Sequence, residues 1–221
     1  FGSAAQLVVP RSSPIQTPYD LRKARVAIGS HGSGSALSAE RFFQGMGIWE
    51  EITPIYASAT MSLAELSQWE VEAVWLLVGF PNRALQETNR TFPIRLIDLN
   101  EIAVKSGFFT SYPSYTLARI PGGTYTGQNL DIVTFQNSIL WVANREIDED
   151  LVYRSLKILF SNRGLAQINS ALPAARDLDV KKGLSGVKIP LHPGAVRFLR
   201  EALFPPDGLS KTLSPQNPSQ I

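Results

Sequence analysis

The sequence predicts an α/β fold with a mainly parallel sheet, on three observations. Residues 25–47 read as a strand, a glycine–serine turn and a helix. Val71 to Val78 is an almost continuous apolar run, the pattern of a central strand buried on both faces. Strand-like and helix-like periodicities then alternate along most of the chain, as they do where helices cross over a sheet. With 221 residues and 44% hydrophobic content, the chain can bury a real core, in one large domain or two small lobes.

The elements follow in order. Leu7 to Val9 reads as a strand and the Pro/Ser segment Pro10 to Pro18 as a connector. Val26 to Ile28 is a short strand. Gly29, Gly32 and Gly34 follow it, and then Ala36, Ala39, Phe42, Phe43 and Met46 recur at helical spacing up to Gly47. Ile52 to Ala57 is strand-like, and Ser62 with Glu65 forms a capping-box pattern for a short helix to Gln68. After the Val71 strand, Pro81 suits the first helical position of a helix over residues 82–88. Ile94 to Ile97 is a strand, Asn100 to Ser106 a helix stopped by Gly107, and Thr116 to Ile120 a further strand. Phe108, Phe109, Tyr112 and Tyr115 form an aromatic cluster suited to packing. Ile132 to Ala143 reads as one long strand. A helix capped by Asp148, Glu149 and Asp150 carries Val152, Leu156, Leu159 and Phe160 and is broken at Gly164, with further helical turns over Ala166 to Ala171. Residues 172–188 read as a loop, Gly194 to Leu203 as a helix, and 204–221 as a disordered tail.

The chemistry concentrates at the glycine–serine turn. Glycines let the backbone fold tightly and aim several N–H groups at one point, and the first turn of a helix leaves donors with partial positive charge. Ser30, His31, Gly32, Ser33, Gly34, Ser35 and Ala36 therefore make an anion seat for a carboxylate or a phosphate, with Ser33 and Ser35 available as caps. The same residues also make an ordinary tight βα turn. Ser35-Ala36 stands where a Walker A loop needs Lys and a hydroxyl residue, which argues against nucleoside triphosphates. The glycine spacing and the lack of an acid after the next strand argue against a Rossmann dinucleotide site. Gly79-Phe80-Pro81 precedes a second helix start at the same kind of sheet edge, and Tyr125 offers a ring and a phenol to a ligand.

Bulk properties exclude several classes. The formal net charge is +2 with acids and bases mixed, and no basic cluster interleaved with aromatics points to nucleic acid. No apolar run of about eighteen residues is present to span a membrane. Cysteine is absent, which removes disulfides, thiolate nucleophiles and zinc–thiolate sites. His31 and His192 are far apart with no ligand partners at metal spacing, so no metal, no cofactor and no catalytic residue is expected. His192, beside Pro193 at a helix start, is expected to fix local structure.

Five ordered segments add a family resemblance. The glycine–serine turn with its helix closing on Gly47-Ile48, Asp20-Leu21-Arg22, Gly79-Phe80-Pro81-Asn82, Pro121 to Gly127, and Leu191-His192-Pro193-Gly194-Ala195 resemble the TAXI family, the extracytoplasmic solute receptors of TRAP transporters. Asp150-Leu151-Val152-Tyr153 is similar to that family's helix start as well. Ser35 stands where the family usually has Thr. Trp69 stands where it has a turn glycine, and Glu72 where it has an Asp.

The resemblance implies a periplasmic-binding-protein-like type II architecture of two lobes, with the first lobe incomplete. It implies an incoming strand and hinge connector in 1–23, a ligand-binding α/β lobe in 24–130, and a return strand with helices of the first lobe in 131–203. The implied function is a non-enzymatic, periplasmic or extracytoplasmic monomer, free or membrane-associated, with a site for a small carboxylate such as glutamate, glutamine or a dicarboxylate. It would hand that ligand to a TRAP transporter membrane subunit. The alternative is a ligand-sensing or interaction domain of the same fold, attached to a membrane or signalling protein.

Overall fold

The computed structural model describes residues 2–176, 178–184 and 186–204. The expected tail lies outside the described residues beyond Phe204. The chain divides into two compact units, Phe1–Ile139 and Leu140–Ile221.

The first unit is built on one seven-stranded sheet: β1 (Gly2–Pro10), β2 (Arg25–Ala27), β3 (Thr53–Ile55), β4 (Ala73–Val78), β5 (Ile94–Ile97), β6 (Tyr115–Ile120) and β7 (Ile132–Ser138). The order is β3-β2-β4-β1-β7-β6, and β5 also pairs with β1, beside its Leu7–Pro10 half. The α/β class holds, but the sheet is mixed rather than mainly parallel. Only β2–β3 and β2–β4 are parallel pairs, whereas β1 runs antiparallel to β4, β5 and β7, and β6 antiparallel to β7. Periodicity reports which residues are buried, not the direction of the neighbouring strand.

Alternation along the strands sends side chains to two cores. Ala5, Leu7, Val9, Val26, Ala73 and Trp75 join one core with α1 (Gly34–Gly45), whose Ala36, Ala39, Phe42 and Phe43 cover that face. Val8, Ala27, Val74 and Leu76 join the other, under α2 (Ala59–Ser67) and α3 (Arg83–Thr91) through Leu63, Leu66 and Leu85. Two short helices, α4 (Asn100–Lys105) and α5 (Phe108–Ser111), add Ile102, Ala103 and Phe108 to the first core. Phe108 is 4.5 Å from Phe135 and 5.0 Å from Tyr115 between ring centroids, so the aromatic cluster packs. Trp75 lies within 5.1 Å of Phe42, and its indole N–H donates to Ser38 Oγ at 2.9 Å, giving α1 a polar tether to β4.

Several boundaries differ from expectation for physical reasons. Ser58, not Ser62, caps α2: its Oγ accepts the Met61 N–H at 3.3 Å, while Ser62 is fully buried inside the helix. Pro81 precedes the cap Asn82 instead of opening α3. The strand expected to reach Ala143 ends at Ser138, and Trp141 and Val142 are exposed. Trp69 has φ 61°, the left-handed conformation that favours glycine. It closes α2 in a Schellman arrangement, with Trp69 N–H on Leu66 O (3.1 Å) and Glu70 N–H on Glu65 O (2.9 Å).

The second unit holds α6 (Glu149–Leu159), α7 (Asn162–Ala171) and α8 (Pro193–Leu203). The break falls at Phe160-Ser161, where Ser161 Oγ caps α7, and Gly164 sits in the first turn of the new helix. A Cβ on Gly164 would lie 2.2 Å from Ile158 O, so glycine permits this tight corner. The 172–188 stretch contains two 3-10 turns, Pro173–Ala175 and Val180–Lys182. His192 fixes local structure, as expected: Nδ1 accepts the Gly194 N–H at 3.2 Å, and Nε2 lies 3.0 Å from Ile147 O. Gly194 presses on α6, where an added Cβ would meet Glu149 O at 2.3 Å. Arg197 stacks 3.9 Å over the Tyr153 ring, and Phe160 stacks on Phe198 at 5.5 Å.

Candidate functional site at the C-terminal edge of the parallel strands

Strands β3, β2 and β4 are mutually parallel neighbours, and each runs into a helix. Three helix N-termini therefore open at one sheet edge, the C-terminal one. The three starts are built alike. Ser33 Oγ accepts the Ala36 N–H (3.1 Å), Ser58 Oγ the Met61 N–H (3.3 Å), and Asn82 Oδ1 the Leu85 N–H (3.2 Å). Each cap satisfies one donor of the first turn. Among the described residues, no acceptor takes the N–H groups of Gly34 and Ser35, of Ala59 and Thr60, or of Arg83 and Ala84.

Connections from β2 and β4 leave on opposite faces: α1 covers the first core, α3 the second. Adjacent parallel strands with connections to opposite faces define a topological switch point, where a crevice opens between the loops. The two loops facing it are Gly29–Ser33 and Gly79–Pro81. Beside them the first turn of α1 is tied to β4 through Ser35, whose Oγ accepts the Leu77 N–H at 3.0 Å. Ser35 thus bridges to the neighbouring strand, and the capping role falls to Ser33 alone. Gly29 has φ +100°, and a Cβ there would lie 2.7 Å from Ser35 Cβ and 2.9 Å from Ser33 Oγ. Only glycine fits.

The sequence-predicted residues divide into three groups. Ser30, His31, Gly32 and Gly34 are exposed, Ser33 and Ser35 half-buried, and Ala36 is buried under the first turn. Gly79, Phe80 and Pro81 are half-buried, with Phe80 packed against the second core and the Phe80–Pro81 peptide cis. Tyr125 is 4% exposed and stands behind this wall. Its OH donates to Gln6 Oε1 (2.7 Å) and accepts the Asn82 N–H (3.0 Å), and burial pushes its phenol up to about 12.

Two residues here carry no strong sequence signal. Tyr56, in the loop after β3, stacks on His31 with centroids 3.7 Å apart and planes 12° apart, joining the loops of β2 and β3. Gln6 lies in the middle of β1 at 1% exposure. Its signal was available: a lone amide in the run Ala4 to Pro10 needs a buried partner. Two depressions, of about 280 Å³ beside β5 and about 780 Å³ beside α8, involve neither switch-point loop.

The pattern of the NMT1-like family matches residues 3–202. The chain belongs to the NMT1-like family. Both switch-point loops, the Tyr125 turn and the His192 cap of this NMT1-like chain fall inside the matched range. The chain is also similar to the periplasmic aliphatic sulphonate binding protein SsuA from Escherichia coli, at 16% identity and TM-score 0.45, over 90% of this chain and 54% of that one. It is similar to the alkanesulfonate-binding protein SsuA from Xanthomonas axonopodis pv. citri bound to MOPS, at 16% identity and TM-score 0.38, over 91% and 65%. A third similarity is to an arginine 3rd transport system periplasmic binding protein from Legionella pneumophila, at 17% identity and TM-score 0.32, over 43% and 42%. The NMT1-like chain thus spans less than two thirds of the length of each.

Proposed function

We propose that this chain is the ligand-binding part of an extracytoplasmic solute receptor of periplasmic-binding-protein type II architecture. It captures a small carboxylate at the switch point between β2 and β4. The observation that supports this most directly is the pair of capped helix starts on opposite faces of two adjacent parallel strands, with their leading N–H groups free for an anion. Backbone donors with the Ser33 and Ser35 region hold a carboxylate without a buried arginine. In the TAXI reading, the ligand is of amino-acid or dicarboxylate type, glutamate or glutamine among them, and passes to a TRAP-type membrane subunit. The protein acts by binding, not by chemistry.

A second lobe belongs to the same proposal. Among described residues of the second unit, the buried hydrophobics are Tyr153, Ala175 and Phe198, while Trp141, Leu151 and Ile158 are exposed. So thin a core is marginal for a unit of this size, and a covering lobe would bury more of these helices.

A thermal-shift screen tests the reading with glutamate, glutamine, C4-dicarboxylates, an alkanesulfonate and phosphate. Ligand at a hundred times its dissociation constant adds about 2.7 kcal/mol of stability. The expected result is a shift with a carboxylate that weakens when Ser33 is replaced by Val. Preference for the sulfonate or phosphate over every carboxylate contradicts the ligand class, and no response to any anion contradicts the site.

A further inference from the structure

We infer that Gln6 and Tyr125 form a hydrogen-bond relay that sets the position of the Gly79–Pro81 wall, and so act as positioning residues of the binding edge. The inference rests on the reading of that edge as an anion site. Gln6 Nε2 donates to Val78 O at 3.3 Å, Gln6 Oε1 accepts from Tyr125 OH at 2.7 Å, and Tyr125 OH accepts the Asn82 N–H at 3.0 Å. Val78 ends β4 and Asn82 caps α3, so the three residues between them are pinned at both ends by one connected chain.

The direction of the relay is fixed by its end groups. A backbone N–H only donates and a backbone carbonyl only accepts. Asn82 therefore forces the phenol oxygen to accept there and to spend its own proton on Gln6. The amide oxygen must then face Tyr125, which turns the NH2 toward the Val78 carbonyl. The phenol proton and one amide proton each have a single acceptor.

Both side chains are buried, at 1% and 4% exposure, where an unpaired amide or phenol is costly. The turn carrying Tyr125 is anchored in turn. Thr126 O accepts from Asn89 Nδ2 at 2.8 Å and from Arg11 Nη2 at 2.9 Å, and Gly127 leaves room for that guanidinium, which a Cβ would meet at 2.0 Å. The segment Tyr125-Thr126-Gly127 thus buttresses the α3 start from behind. Its residues reach the ligand through the wall they hold.

Amide hydrogen exchange on the intact chain, with Tyr125→Phe and Gln6→Met, separates positioning from bulk stability. Losing one net hydrogen bond of typical strength accelerates local exchange about tenfold. The expected result is that acceleration at Asn82 in either variant, unchanged protection at Trp75 and Leu76, and no further change in the double variant. Titration with L-glutamate should show about a tenfold loss of affinity in Tyr125→Phe, the same free energy read at the site. Unchanged exchange at Asn82, or uniform acceleration through β4, overturns the relay. Local acceleration with glutamate affinity kept within about twofold of the parent overturns the positioning role, since the expected loss is about tenfold. Local acceleration in a parent chain that binds no glutamate overturns the anion reading and leaves the relay standing. Should Tyr125→Phe fail to fold, Gln6→Met carries the same comparison.

Discussion

At the N-terminal edge of β2 and β4 the polar groups answer one another. Glu72 accepts from the Arg25 backbone N–H (2.7 Å) and from its guanidinium (2.8 Å), Arg25 also donates to Trp69 O (3.0 Å), and Arg22 pairs with Glu51 (2.9 Å). At the C-terminal edge of the same strands the caps take one donor per helix and leave the leading pairs unclaimed among the described residues. The contrast separates an edge that closes on itself from one that keeps donors for something else. It also places Trp69 and Glu72, where this chain departs from the TAXI pattern, at the closed edge, away from the proposed ligand.

Substitutions that sharpen this contrast range from large to small. Gly29→Ala combines a left-handed backbone with contacts under 3 Å at Ser33 and Ser35. It should cost about 3 kcal/mol in urea unfolding, from backbone strain plus overpacking, and abolish any carboxylate response. A cost under about 1 kcal/mol, the lower bound of the backbone term alone, would show that the loop relaxes freely. Next come the caps. Ser58→Ala should lose about 1 kcal/mol, whereas Ser62→Ala, whose buried hydroxyl has no partner among the described residues, should gain up to about 1 kcal/mol. The opposite signs check which serine caps α2.

The closed edge should answer to pH rather than to ligand. The Arg25 side chain, ahead of the opposing effect of burial, holds the Glu72 carboxyl below its ordinary 4.5. A depressed folded value means the stabilisation is present above about the ordinary value and is lost as pH falls through the folded one. Both side chains are 39–47% exposed, so the contribution stays below about 1 kcal/mol. Comparing urea midpoints of the parent and Glu72→Gln should show a gap at pH 6 that closes in acid; a constant gap contradicts the assignment. Trp69→Gly is expected to be smallest. Relief of the left-handed backbone, about 1 kcal/mol, is offset by losing the edge-on contact with Phe92 at 5.8 Å. Carboxylate response should not change, and a lost response would link the two edges.

How much was legible in the sequence follows from the range of each signal. The β2–turn–α1 unit, Gly107 as a helix stop, and His192 as a local fixture were readable because they are local: a φ, a cap, a few residues of periodicity. The mixed sheet was not, because the apolar run of β4 is the same whether its neighbour is the parallel β2 or the antiparallel β1. Ser62 matched a capping pattern that Ser58 preempted by starting the helix one turn earlier. Tyr125 was marked as a ligand contact on chemistry suited to a site. The same phenol serves a buried relay when Gln6, 119 residues away in sequence, supplies an acceptor. Pairings at that distance leave no trace in spacing.

An amide-resolved NMR titration of the intact chain with L-glutamate tests the switch-point site most directly, because it detects even weak binding. Saturable shifts are expected at Gly32 to Ala36 and at Gly79, Phe80 and Asn82, with none at Trp69 to Glu72. Saturable shifts confined to the closed edge or to the depression beside β5, or none in the millimolar range, would contradict that site.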